Sequence, residues 1–86
     1  MKIKEGYLVR EIADKTVVVP VGEDLDLSKM ITLNETGKFL WIELQQETDE
    51  DRLVSALLKE YSVDEATARA SVLRFVNKLR ENGLLL

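Results

Sequence analysis

The chain contains no cysteine and no histidine. Without thiols there is no disulfide, no thiolate metal site and no cysteine nucleophile. Without imidazole the commonest general base and the commonest metal ligand are missing. Most hydrolytic and zinc chemistry is excluded by these two absences, and neither a metal nor another cofactor is expected. Long apolar runs are missing too. The longest, Val17-Val18-Val19-Pro20-Val21, falls far short of the roughly 20 residues of a membrane helix. The opening Met1-Lys2-Ile3-Lys4-Glu5-Gly6 lacks an apolar signal region and a cleavage site. No membrane association is expected, and the default location is cytoplasmic. Positive charge is in deficit: 12 Lys and Arg stand against 16 Asp and Glu, a net charge of −4. A surface of that sign repels phosphate backbones and disfavours nonspecific nucleic-acid binding.

What is present is the makings of one small core. Eighty-six residues suffice for a single domain, here 1–86, and 45% of them are apolar. Folding a chain of this size removes roughly 60% of the unfolded surface from water, too little to build a deep substrate cavity as well.

The apolar period changes near Asn34. Before it, β-branched residues cluster in short runs. Tyr7 to Ile12 reads as a first strand, Ala13-Asp14-Lys15 as a turn and Thr16 to Val19 as a second strand antiparallel to the first. Pro20 lacks an N–H and belongs at a strand end or edge. Gly22-Glu23-Asp24 reads as a loop. Lys29 to Leu33 reads as a third strand, with Lys29, Ile31 and Leu33 on one face and Met30 and Thr32 on the other.

After Asn34 the spacing turns helical. Asn34 is a good N-cap, and the helix it opens carries Phe39, Leu40, Trp41, Ile42 and Leu44, dense enough for a central position. Trp41 is expected in the core. Gly37 weakens this helix by ~1 kcal/mol relative to alanine, which suggests close approach of a neighbouring backbone. Thr48-Asp49-Glu50-Asp51 has capping-box spacing and opens an amphipathic helix through Leu53, Val54, Leu57 and Leu58 to Tyr61. The acidic triplet reads as a solvated, dipole-matched helix start rather than a cation site, because the regular oxygen spacing and glycine turn of a calcium loop are missing. Asp64 caps a last helix, which Asn82-Gly83 ends. Leu84 to Leu86 fold back onto the core.

On that last helix Ala68, Val72, Phe75, Val76 and Leu79 share one face. A second stripe of Ala66, Ala70 and Leu73, with Asn77 beyond, lies about 100–160° around from Val72, and Arg69 sits between the two. The stripe reads either as packing against another helix or as the floor of a shallow apolar groove. If the third strand is a sheet edge beside this helix, groove and edge together accept an extended peptide as an added strand.

The order βββ–ααα, with a short Ser62-Val63 connection between the last two helices, is an α+β, winged-helix-like arrangement: a three-stranded antiparallel sheet followed by three helices. Helix-turn-helix geometry raises DNA binding, and a winged-helix DNA-binding regulator is the alternative. The last helix argues against it. Its basic residues Arg69, Arg74, Lys78 and Arg80 fall on different faces, and its start carries Asp64 and Glu65, which phosphates repel.

Met30-Ile31-Thr32-Leu33-Asn34-Glu35-Thr36-Gly37 followed by Phe39-Leu40-Trp41 resembles the strand-to-helix junction of the PqqD-like family. The helix after Thr48 and the stretch from Val63 to Leu85 are similar to the family's second and third helices, the N-terminal strands less so. The resemblance implies a RiPP recognition element, a non-catalytic peptide chaperone. Such a domain binds the leader of a ribosomally made precursor peptide and presents it to a modifying enzyme, here expected to be a radical SAM protein. It further implies a cleft lined by Lys29, Met30, Ile31, Thr32 and Leu33 on the strand, and by Ala66, Arg69, Ala70, Leu73 and Asn77 on the helix. Arg69 is then either a partner for a leader carboxylate or a solvated arginine. A monomer or weak homodimer is expected.

Overall fold

Two residues, Ala13 and Asp14, turn the chain between β1 (Tyr7–Ile12) and β2 (Lys15–Pro20), the arms of an antiparallel hairpin in which Ile12 faces Lys15 and Tyr7 faces Pro20. Ala13 takes φ 56° to make this turn, a left-handed conformation that a Cβ disfavours. The computed structural model describes residues 1–21 and 30–86. The expected Gly22-Glu23-Asp24 loop and Lys29 lie outside the described residues. β3 (Ile31–Leu33) pairs antiparallel with β2, Thr32 opposite Val17, and the sheet order is β1-β2-β3. β3 is therefore a sheet edge. Pro20 closes β2, where its missing N–H interrupts no interior ladder.

Three helices follow: α1 (Glu35–Glu43), α2 (Glu50–Glu60) and α3 (Glu65–Glu81). Each N-cap is a side chain that accepts an N–H of the first turn, as the orphan donors there require. Asn34 accepts from Gly37 at 2.7 Å, Asp49 from Arg52 at 2.8 Å and Asp64 from Thr67 at 2.7 Å. The expected cap of α2 was Thr48, one residue early. The Thr48 N–H instead donates to the Met1 carbonyl at 3.0 Å, which leaves Asp49 to cap.

The core lies between one face of the sheet and the helices. Val18 of β2 and Ile31 and Leu33 of β3 meet Leu40 and Trp41 of α1, Leu53 and Leu57 of α2, and Val72, Val76 and Leu79 of α3. Trp41 is buried as expected, but Ile42 is 63% exposed, so α1 is covered on one side only. Leu84 is buried, its N–H donating to the Leu79 carbonyl at 2.9 Å. Ile3 and Leu85 form a β-bridge that ties the two ends of the chain together. No helix among the described residues is long and apolar enough to cross a membrane.

Candidate functional site

The two outer strands of the sheet differ in their surroundings. In β1 every residue from Leu8 to Ile12 is exposed, and Arg10 and Glu11 place charges along it, a common guard against edge-to-edge pairing. β3 is shorter and lies at the mouth of an open cleft of about 440 Å³, within the range of about 300–1,000 Å³ usual for ligand clefts. Thr32 and Leu33 form one wall, and Asn34, Thr36, Gly37 and Leu40 continue it into α1. The opposite wall is α3, through Ser71, Arg74, Phe75 and Lys78.

Each wall follows from local sequence. Ile31 and Leu33 turn inward to the core and Thr32 outward, the alternation of a half-buried strand. Ser71, Arg74, Phe75 and Lys78 recur at i, i+3, i+4 and i+7, one face of a helix. Gly37 lets the first turn of α1 come up against Phe75. A Cβ there would stand 3.3 Å from Phe75 Cε1 and 3.1 Å from Asn34 Oδ1. The close neighbour is thus an aromatic side chain, not the backbone expected from the sequence.

The expected cleft residues divide. Ile31, Thr32 and Leu33 form the edge strand, and Met30 precedes it, 40% exposed. Thr32 and Leu33 line the cleft. Ala66, Arg69, Ala70, Leu73 and Asn77 do not line it. Taking Val72 as the origin, the cleft-lining residues of α3 lie about 60–160° around in the opposite sense from the Ala66–Ala70–Leu73 stripe, at 100° per residue. The core stripe separates the two flanks. Arg69 faces α2, where its guanidinium pairs with Asp51 at 3.2 Å and with Glu65 at 3.6 Å. Helical periodicity alone does not say which flank of α3 packs beside the sheet. Phe75, assigned to the core from its period, is half-buried and faces the cleft. The sequence offered Gly37 as a close-approach position but not its partner.

The cleft combines polar, apolar and cationic groups. Among the described residues its lining holds hydroxyls, an amide, a phenyl ring and two cations, and no carboxylate. Among the described residues no group of three or more His, Cys, Asp or Glu is placed to hold a metal ion. Away from the cleft, two side chains at helix ends have displaced pKa values. The Thr67 backbone N–H, followed by its side chain, holds the Asp64 carboxyl below its ordinary value. Desolvation, and then the carboxylates of Glu35 and Glu60, push the Tyr61 phenol up. Tyr61 meets Phe39 edge to face at 5.7 Å.

Residues 8–85 match the family model described as coenzyme PQQ synthesis protein D. No curated protein matches the chain. A solved structure described as TbiB1 in complex with the TbiA(beta) leader peptide is similar, with a TM-score of 0.74 and 26% identity. The alignment covers 99% of this chain and 94% of that one.

Proposed function

Because the chain belongs to the PqqD family, we propose that it is a non-catalytic binding protein for the leader of a ribosomally made precursor peptide. The leader adds as a strand to β3 beside α3, and the bound precursor is presented to a modifying enzyme, a radical SAM protein. The observation that carries this reading is an edge strand opening onto a helix-walled cleft. The similar TbiB1 structure, which holds a leader peptide, supports the class of ligand.

Magnitudes show why edge and cleft are both needed. In an antiparallel pair, alternate residues turn their N–H and C=O toward the new strand. Three residues of β3 therefore supply about two to four main-chain bonds, each worth a net ~0.5–1.5 kcal/mol. Ordering a disordered leader costs several kcal/mol. Micromolar binding needs about −8 kcal/mol, so main-chain bonds alone fall short. Apolar leader side chains buried in the cleft supply the remainder at ~25 cal/mol per Å². Capture at this strength holds the precursor and releases the product, while tethering raises the effective concentration of the core peptide at the enzyme.

The test is a fluorescence anisotropy titration. Its probes are labelled synthetic peptides covering the N-terminal halves of short reading frames that adjoin the gene. The expected result is a dissociation constant between submicromolar and micromolar for one of them, weakened by Phe75→Ala. Absence of binding to all of them at about 100 μM, roughly −5.5 kcal/mol, would overturn the proposal.

A further inference from the structure

The cleft carries a charge opposite to that of the chain. The protein has a net charge of −4, yet the described residues lining the β3–α3 cleft include Arg74 and Lys78 and no acid. Ion pairs among the described residues engage the Met1 ammonium, Lys38, Arg52 and Arg69, all outside the cleft. None engages Arg74 or Lys78. A recess lined by one sign of charge concentrates the field on whatever enters it. Its floor is apolar: Leu40 is buried, and the half-buried Phe75 ring covers Gly37.

We propose that this cleft selects peptides carrying an apolar residue and, two positions away, an Asp or Glu, with Phe75 beneath the apolar side chain and Arg74 and Lys78 receiving the carboxylate. The inference rests on the peptide-capture reading and specifies the sequence captured. Spacing supports it. Phe75 stands between Arg74 and Lys78 on α3, about 1.5 Å along the axis from the first and about 4.5 Å from the second. Successive same-face side chains of an extended peptide lie about 6.6 Å apart. A side chain one such step from the Phe75 floor is still within the span of the two long, exposed cationic side chains that flank the ring. Arg69, the other basic residue of interest on α3, is already committed to Asp51 and Glu65 on the far flank.

The experiment uses three fluorescein-labelled decapeptides of alternating Thr and Val, each with one Leu. Two positions after the Leu they carry Glu, Gln or Lys. Affinities are measured in low salt and in 1 M salt. The expected order is Glu over Gln over Lys, each step worth about two- to fivefold, the scale of an exposed ion pair. High salt should collapse the differences by screening. Arg74→Glu with Lys78→Glu should reverse the order. Both positions are exposed, and a thermal melt verifies that the double variant is folded. Equal binding of the three peptides, or an order unmoved by the charge reversal, overturns the charge assignment and leaves peptide capture standing. Binding of none of them overturns both.

Discussion

Replacing Gly37 by alanine tests how α1 and α3 meet beneath the cleft. Helix propensity alone favours alanine by ~1 kcal/mol at an interior position. The structure opposes that gain. The new Cβ would stand 3.1 Å from Asn34 Oδ1 and 3.3 Å from Phe75 Cε1, inside the about 3.5–4.0 Å at which carbon contacts are most favourable. Asn34 Oδ1 is the acceptor that caps α1, so displacing it forfeits a cap worth ~1 kcal/mol. Forcing the Phe75 ring off its rotamer costs a further ~0.5–1.5 kcal/mol. The costs exceed the gain, and Gly37→Ala is expected to destabilise by about 0.5–1.5 kcal/mol, a melting temperature about 5 °C lower for a domain of this size. Urea unfolding of Gly37→Ala, Phe75→Leu and the double variant apportions the effect. Removing the ring should recover about 0.5–1 kcal/mol of the alanine cost, as expected for residues in contact. A Gly37→Ala protein more stable by the full propensity gain, with no coupling to position 75, would refute this account of the junction.

Three further outcomes are expected. Ala13→Gly should raise stability by about 0.5–1 kcal/mol in thermal or urea unfolding, because φ 56° is free for glycine and strained for alanine. Asp64→Asn keeps a capping oxygen but removes the charge. Since the Asp64 carboxyl titrates below its ordinary 3.8 in the folded protein, its stabilisation is complete above that value and lost as pH falls through the lowered one. Melts from pH 7 to pH 2 should therefore show wild type and variant converging in acid; a gap independent of pH contradicts this. Leu73→Asp and Phe75→Asp separate the two flanks of α3. The first should leave peptide affinity within about twofold and the second should abolish it, because it removes the apolar floor and sets a carboxylate beside Arg74 and Lys78 in the cleft; the reverse pattern would restore the Ala66–Ala70–Leu73 stripe as the groove.

Most of the fold was legible because local rules and the global arrangement agree. The β-branched runs, the caps at Asn34 and Asp64 and the core stripe of Ala68, Val72, Val76 and Leu79 all stand where pattern places them. Thr48 misled because a capping box and a plain Asp49 cap differ by one residue, and the deciding contact, with Met1, is long-range. Of the cleft residues, the strand side was legible and the helix side was not. Alternation in β3 gave its inward and outward faces, while its edge position comes from the sheet order. The flank of α3 that faces it was not readable, because periodicity gives an angle about the helix and not which neighbour lies in which direction. That choice is made by the packing of α2 against α3, marked by the Arg69–Asp51 pair, and by the glycine contact that brings α1 onto Phe75.

Amide NMR on the peptide-bound protein is the most direct test of strand capture at β3. With a bound leader-half peptide from the anisotropy titration, hydrogen exchange at amides within Ile31–Leu33 should slow. Cross-strand Hα contacts should link those residues to the peptide, and the Phe75 ring resonances should shift. Saturable binding that leaves Ile31–Leu33 unprotected and perturbs β1 or the Leu73 flank instead would contradict the account.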